Sequence, residues 1–156
     1  MGEPRECPCS SGRGYAECCR PFHKDGVEAP TPEALMRSRY AAFALAQVDH
    51  LWRTLHSSNP DAQRPREEVR RELKRNCNRF RYPRLVVLAS DGPDESGVAR
   101  VLFWAQVQDG ARDVGFVERS TFRREGGGWR YVDGVMRPAR GMGEAEIRAL
   151  TMDALG

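Results

Sequence analysis

The sequence of 156 residues lacks any long hydrophobic run, and no stretch approaches the roughly 18 apolar residues that a membrane-spanning helix needs. Residues 1–7 contain no apolar segment that could act as a secretory signal. These absences predict a cytoplasmic protein without membrane insertion. With 40% hydrophobic and 30% charged residues, the composition is typical of a folded domain and not of a disordered or fibrous chain.

Lysine is scarce, because the 25 basic residues include only two lysines. The net charge of +3 is too small to indicate a protein whose sole target is nucleic acid. Nine basic and three acidic residues lie between Arg64 and Arg84. This segment is interpreted either as a solvated helix face or as a surface that meets phosphate or an acidic partner. No named nucleic-acid-binding motif supports the second interpretation.

A simple disulfide framework is not expected, because the number of cysteines, five, is odd and the predicted compartment is reducing. Four of them lie within thirteen residues, at Cys7, Cys9, Cys18 and Cys19. Four thiolates from two short knuckles match the tetrahedral ligand set of a structural zinc ion. His23 follows closely and is an alternative to Cys19 as the fourth ligand. We expect zinc to stabilise a small unit over residues 1–30.

These cysteines belong to the pattern Cys-Pro-Cys-x-Ser-Gly-x-x-Tyr-x-x-Cys-Cys, which resembles the SEC-C motif. That motif is the zinc knuckle at the C-terminus of the SecA translocation ATPase and of many bacterial proteins. One departure is Ser10, which stands where the motif usually has glycine. By analogy with SecA, the resemblance implies a protein or ribosomal partner that the knuckle engages.

Helices are predicted in the first half of the chain and strands in the second. Thr31 and Pro32 indicate the start of a helix over 32–47, a second helix follows Asp49, and a third begins near Arg66. The apolar period then changes to two, which predicts strands at 85–90, 98–108, 114–124 and 129–136. This order indicates an α+β fold. We divide the chain into the knuckle (1–30), a main domain (31–138) and a tail with a short helix (139–156).

Alternation in the third predicted strand places Glu118 and Ser120 on an inward face among aromatic residues. The opposite face of that strand, including Val117, is expected to meet solvent. On the fourth strand, Trp129, Tyr131 and Asp133 are expected to share one face. A buried carboxylate needs a partner or must become neutral, which leaves two interpretations, a structural ion pair or a ligand pocket. The candidate pocket residues are Arg39, Tyr40, His56, Glu118, Ser120, Trp129, Tyr131 and Asp133, and we favour an ion pair between Glu118 and Arg39.

Four segments, residues 29–40, 54–56, 118–122 and 129–134, resemble the YchJ family of bacterial proteins. The resemblance implies an N-terminal SEC-C knuckle followed by a cone-shaped domain like nuclear transport factor 2, in which three helices pack on a curved antiparallel sheet. Many members end in a second SEC-C motif, whereas this sequence has no cysteine after Pro138. The family brings no particular activity with it.

Two functions are compatible with these observations. In the one that we favour, the protein is a zinc-stabilised cytoplasmic binding or adaptor protein without catalytic activity, and its knuckle engages a protein or ribosomal partner. In the alternative, a pocket in the cone binds a small molecule or acts as an isomerase or dehydratase. The spacing of the candidate acids and bases identifies no reaction.

Overall fold

Helices fill the first half of the chain and strands the second in the computed structural model, which describes residues 2–155. Within that range the α-helices are α1 (Arg20–Lys24), α2 (Pro32–Leu45), α3 (Val48–Arg53), α4 (Arg66–Arg79) and α5 (Glu144–Arg148). The strands described there are β1 (Arg81–Asp91), β2 (Ala99–Asp109), β3 (Arg112–Asp113), β4 (Phe116–Glu125) and β5 (Gly128–Pro138). They form one antiparallel sheet in the order β1-β2-β4-β5, with β3 paired to β2. The predicted α+β class is confirmed.

Helix α2 is bounded by local chemistry at both ends. The hydroxyl of Thr31 accepts a hydrogen bond from the N–H of Ala34 at 3.1 Å, which caps the first turn. The helix ends at Leu45 because Ala46 adopts a left-handed conformation with a φ of 56°. The helix is therefore two residues shorter than the sequence predicts.

The hydrophobic core lies between α2 and the inward face of the sheet. Leu35 and Met36 of α2 belong to one buried cluster with Leu85 of β1, Val101 of β2 and Phe122 of β4. Burial of such side chains supplies the main stabilising free energy of a domain of this size. This packing fixes α2 across the sheet and determines where its next residues point.

The outer face of the sheet is covered by the C-terminal segment, residues 139–155. Ile147 of α5 packs with Leu102 of β2 and Val117 of β4, and none of the three is more than 1% exposed. The prediction that Val117 meets solvent is therefore wrong. Strand alternation shows which residues share a face, but it does not show what covers that face.

A β-bulge at Val132 changes the direction of the side chains that follow it in β5. Tyr131 lies opposite Phe122 and Asp133 lies opposite Thr121, so Val132 has no partner on β4. The extra residue shifts the alternation by one position. Asp133 consequently shares the outer face with Thr121, and the prediction that it shares a face with Tyr131 is wrong.

The N-terminal knuckle packs against α2 and β1. Arg37 donates from Nη1 to the carbonyl oxygen of Cys9 at 2.9 Å, and the N–H of Leu85 donates to Oγ of Ser10 at 3.0 Å. Ser10 has a φ of 66°, the left-handed region that glycine adopts without strain. This conformation accounts for the glycine that the motif usually carries there, and the hydroxyl of Ser10 provides a contact with β1 that glycine lacks.

Four of the nine basic residues between Arg64 and Arg84 form ion pairs with acidic side chains, namely Arg64, Arg70, Arg79 and Arg84. Arg64 alone lies within 3.0 Å of carboxylate oxygens of Asp61, Glu68 and Glu72. These contacts favour the solvated-helix interpretation of the segment. In the part of the chain that the structure describes, no helix has the length and apolarity needed to cross a membrane.

Candidate functional site

The sulfur atoms of four cysteines converge in the knuckle. The Sγ atoms of Cys7, Cys9, Cys18 and Cys19 all lie within 4.8 Å of one another. Cys9 Sγ is 3.6 Å from Cys18 Sγ, which is 3.9 Å from Cys19 Sγ. The N–H of Cys7 donates to the carbonyl oxygen of Arg13 at 2.9 Å and closes the loop between the two pairs of cysteines. All are free thiols.

The spacing of these sulfurs fits a tetrahedral metal site. Zinc–sulfur bonds of about 2.3 Å place tetrahedral sulfurs about 3.8 Å apart, close to the two separations above. Ser11 Oγ accepts a hydrogen bond from the N–H of Arg13 and lies 3.2 Å from Cys18 Sγ, so its proton is free to be donated to that sulfur. The cluster is therefore able to hold one ion that prefers soft ligands. Four protein ligands leave no position for a substrate.

His23 lies beside the cluster but uses both ring nitrogens elsewhere. Its Nε2 is 2.7 Å from the carbonyl oxygen of Ser38 and must donate, so Nδ1 accepts from the hydroxyl of Tyr15 at 2.7 Å. Burial lowers the pKa of His23 to about 4. The geometry thus favours Cys19 over His23 as the fourth ligand.

A buried polar chain continues from Ser38 into α3. Ser38 Oγ donates to the carbonyl oxygen of Leu35 at 2.7 Å, so His50 Nε2, at 2.8 Å, is the donor toward Ser38. Arg53 Nη2 in turn donates to His50 Nδ1 at 3.0 Å. Burial lowers the pKa of His50 to about 2. This chain ties the knuckle to α2 at the residue that precedes Arg39.

A cavity of about 440 Å³ lies between α2, the end of α4 and the inward face of the sheet. This volume falls within the usual range for small-molecule sites, roughly 300–1,000 Å³. Five of the predicted pocket residues line it, namely Arg39, Tyr40, Glu118, Ser120 and Tyr131. The remaining walls are mostly apolar and aromatic, and they include Met36, Phe43, Phe80, Tyr82, Phe103, Val107, Phe116 and Met136.

Glu118 is the buried acid of the cavity and is only 7% exposed. The hydroxyls of Ser120 and Tyr131 both donate to its Oε2, the latter at 3.0 Å. Burial raises the pKa of Glu118 above its usual 4.5, against the opposing effects of these hydrogen bonds and of the Arg39 charge. Burial also raises the pKa of Tyr131. The site therefore makes Glu118 a weaker acid than an exposed glutamate, beside a phenol that is also harder to ionise.

Arg39 lines the cavity without a carboxylate partner. Its Nη1 donates to the carbonyl oxygen of Leu51 at 2.9 Å and to Oγ1 of Thr54 at 2.6 Å, and its guanidinium carbon lies 4.8 Å from the ring centre of Tyr131. Among residues 2–155 no carboxylate oxygen forms an ion pair with Arg39 within 4.0 Å. The predicted ion pair with Glu118 is therefore wrong, because Leu51 and Thr54 accept the hydrogen bonds of Arg39, while the hydroxyls of Ser120 and Tyr131 donate to Glu118.

Tyr40 contributes its ring to the cavity, while its hydroxyl joins two strands. The oxygen lies 2.8 Å from the carbonyl oxygen of Arg84 on β1 and 2.9 Å from that of Gln106 on β2. It also accepts the N–H of Arg84 at 3.0 Å. Burial raises the pKa of Tyr40. The hydroxyl thus holds α2 to the sheet.

Three of the predicted pocket residues lie outside the cavity. His56 is half-buried, and its Nε2 is 3.6 Å from a carboxylate oxygen of Glu125. Trp129 is part of the core, and the guanidinium of Arg124 lies 4.8 Å from its ring centre. Asp133 is exposed on the outer face because of the bulge. The structure does not bring these three side chains to Glu118.

Sequence reasoning missed Met136 and Gly134, two residues of β5 that lie beside Glu118 of β4. Met136 faces inward, directly opposite Glu118, because the bulge reverses the alternation of β5. A Cβ at Gly134 would collide with Glu118 Oε2 and come within 2.8 Å of the hydroxyl of Tyr131. The glycine inside a strand was the available signal, since it marks a close approach.

The fold and the site together define a class, an α+β cone of the nuclear transport factor 2 type that carries an N-terminal SEC-C motif. Residues 31–134 match the family described as "YchJ, middle NTF2-like domain". The chain belongs to the YchJ family, as the sequence predicts.

Relatives and solved structures agree with this assignment. A UPF0225 protein of Deinococcus radiodurans is 43% identical over 131 residues, which are 83% of this chain and 88% of the relative. The solution structure of a SEC-C motif containing protein from Rhodopseudomonas palustris is 32% identical, with a TM-score of 0.69 over 82% of this chain and 95% of that one. A crystal structure of a SEC-C motif containing protein from Psychrobacter arcticus is 25% identical, with a TM-score of 0.68, over 81% and 80% of the two chains.

Proposed function

We propose that this protein binds a small, largely apolar molecule in the cavity of its cone, while its four-cysteine knuckle holds one structural zinc ion. The observation that carries the first part is the cavity itself, whose aromatic walls end at Arg39, Glu118 and Tyr131. A few polar groups converging in an apolar pocket are typical of ligand sites.

This proposal reverses the order of the two functions predicted from the sequence. The sequence favours an adaptor role through the likeness of the knuckle to that of SecA, and it predicts a structural ion pair between Glu118 and Arg39 in place of a ligand pocket. The two side chains form no ion pair with each other, and both line the cavity. A buried acid and a buried guanidinium that face a cavity support a binding role better than a purely structural one.

Methyl-group NMR during titration with 1-octanol, a neutral apolar probe, tests the binding proposal. Shifts are expected at Val107 and Met136 in the cavity but not at Ile147 on the opposite face of the sheet. Val114→Trp, which adds a large side chain to the cavity wall, should weaken or abolish these shifts, whereas Val135→Trp at an exposed position should preserve them. Shifts of equal size on both faces, or none at all, would rule out a cavity ligand.

The zinc proposal is supported by the sulfur geometry and the SEC-C motif. Bound zinc would supply folding free energy to a knuckle too small to bury a core of its own. The buried ring of Tyr15, 1% exposed, packs with Cys7, Cys9 and Cys19 and limits access of water to the sulfurs.

Elemental analysis of protein purified without added metal should find about one zinc per chain. Cys9→Ser should lose most of it, because the site would be left with three thiolates. Cys77→Ser is the matched control, since Cys77 packs with Ala42 and Leu51, away from the cluster. Full zinc content in the Cys9 variant would contradict the assignment.

Acid–base catalysis on the bound molecule is a second candidate, favoured by the hydrogen bond between Tyr131 and Glu118. The ionised form of Glu118 would take the proton from the carbon next to a carbonyl group, and the phenol of Tyr131 would donate a hydrogen bond to the carbonyl oxygen that becomes the enolate. Loss of deuterium from α-deuterated 2-octanone into water should then be faster with the wild-type protein than with Glu118→Gln. Equal rates would leave the cavity as a binding site only.

A protein or ribosomal partner of the knuckle remains our proposal for its outer surface. The inner surface is occupied by α2 and β1, so a partner would meet exposed side chains such as Arg5 and Arg13. Binding of ribosomes to immobilised full-length protein should weaken when the immobilised protein is an Arg5→Glu, Arg13→Glu double variant. Unchanged binding would exclude this surface as the ribosome contact.

A further inference from the structure

The guanidinium of Arg39 has hydrogen-bond donors that the protein does not use. Only Nη1 donates to protein groups, to Leu51 and Thr54. In the part of the chain that the structure describes, every fully enclosed side-chain nitrogen or oxygen has a hydrogen-bond partner. Nε and Nη2 have none there, so they are not fully enclosed by protein, and the side chain to which they belong lines the cavity.

Glu118 presents one free oxygen to the same space. Both of its hydrogen bonds are accepted by Oε2. Oε1 has no hydrogen-bond partner among the described residues, so it is not fully enclosed by protein, and the Glu118 side chain lines the cavity. Burial shifts the pKa of this carboxyl upward, toward the protonated form that is able to donate a hydrogen bond. Among the described residues the cavity thus combines a guanidinium without an ion-pair partner and a carboxyl whose second oxygen is unused.

We infer that the cavity takes an apolar monocarboxylic acid, whose carboxylate binds between the guanidinium of Arg39 and the carboxyl of Glu118. Its hydrocarbon body lies along Phe103, Val107 and Phe116. An ion pair formed in a site of low dielectric is strong when the cation is already desolvated and its remaining donors form a planar fork. This inference rests on the proposed cavity function and adds the chemical class of the ligand.

Competing headgroups fit less well. A neutral alcohol leaves the charge of Arg39 unpaired, and an amine places a second cation beside it. A phosphate brings a second negative charge that nothing else in the lining balances, because Arg39 is the only lysine or arginine among the cavity residues that the structure describes. A single carboxylate matches the single free charge.

Calorimetric titration of the full-length protein with octanoate and with 1-octanol tests the inference, since the two probes have the same chain length. Octanoate should bind about tenfold more tightly or better, the gain expected from a charge-assisted hydrogen bond. Arg39→Gln should remove this preference and retain octanol binding. Glu118→Gln should retain it, because the amide still donates. Arg137→Gln, which removes the same charge from an exposed position of β5, is the control and should change nothing.

The outcomes separate the inference from the proposal beneath it. Equal affinity of the wild-type protein for the two probes overturns the carboxylate inference but leaves the cavity as an apolar site. Binding of neither probe overturns both. A preference that survives in a folded Arg39→Gln variant assigns the carboxylate to another group and overturns the inference. If that variant does not fold, the comparison of the two probes on the wild-type protein still decides.

Discussion

The contacts of Glu118 in the structure differ from those that the sequence predicts. Its position in an aromatic stripe predicts burial, and the side chain is 7% exposed, but the predicted partner is Arg39 whereas the hydrogen bonds come from Ser120 and Tyr131. Which of them it contacts depends on side-chain geometry that alternation does not encode. Two hydroxyls hydrogen-bond one oxygen, and the nearest cation acts through space.

The raised pKa of Glu118 predicts a characteristic dependence of stability on pH. A folded state that holds its proton more tightly than the unfolded chain is favoured below the usual pKa of 4.5 and loses that advantage as pH rises toward the folded value. The unfolding free energy of Glu118→Gln minus that of the wild type should therefore rise with pH, by up to about 1.4 kcal/mol per pH unit. Urea denaturation between pH 5 and 8 measures the difference.

The charged and titratable groups around Glu118 are Arg39 from α2 and Tyr131 and Asp133 from β5. Asp133→Asn is the matched control, because this acid is exposed and its removal should leave the profile within about 0.5 kcal/mol of the wild type. A difference between Glu118→Gln and the wild type that stays constant from pH 5 to 8 would mean that the pKa of Glu118 is not raised. That result would be compatible with the ionised, paired Glu118 predicted from the sequence.

Gly134 is a second residue whose role is geometric. Gly134→Ala would push a methyl group against Glu118 and the hydroxyl of Tyr131, so we expect a loss of about 1–3 kcal/mol in unfolding free energy and weaker octanoate binding. Gly143→Ala is the comparison, because nothing lies within 4 Å of a Cβ there and its φ is negative. Equal stability of the two variants would show that the close approach is unimportant.

At the scale of elements, the order of helices and strands follows from periodicity and capping, whereas the β-bulge and the covering of the outer face do not. A bulge is one unpaired residue, and nothing in the alternation around Val132 reveals it. The predicted site therefore wrongly includes Asp133 and omits Met136, which lines the cavity. The C-terminal segment was predicted to contain a short helix, but its docking site depends on an apolar outer face formed by residues distant in sequence, such as Leu102 and Val117.

The covering of the sheet is tested by shortening one side chain. Ile147→Ala should cost about 2–5 kcal/mol in unfolding free energy, because it removes a side chain that is 1% exposed and leaves a cavity over Leu102 and Val117. Val135→Ala, at a position 44% exposed, should cost less than about 0.5 kcal/mol. Similar small losses for both variants would indicate that the segment does not stay on the sheet.

At the scale of the whole molecule, the knuckle and the cavity share α2. Arg37 binds the carbonyl oxygen of Cys9, Ser38 accepts the hydrogen bond from His23, and Arg39 and Tyr40 follow directly in the cavity. Four consecutive residues thus connect the cysteine cluster to the polar end of the site.

Removal of the metal should accordingly affect more than the knuckle. After chelation of the full-length protein, amide hydrogen exchange is expected to speed up in α2 as well as in residues 2–30, and octanoate affinity should fall. The Cys9→Ser variant is the control, since chelator should change it little further. Faster exchange confined to residues 2–30, with unchanged affinity, would show that knuckle and cone are energetically independent.

The most direct measurement is a crystal structure of the protein grown with octanoate. The account predicts the ligand inside the cone, its carboxylate within about 2.7–3.0 Å of the Arg39 guanidinium and its chain along the aromatic wall. A cavity closed by its own side chains, or octanoate bound only at the surface, would contradict it.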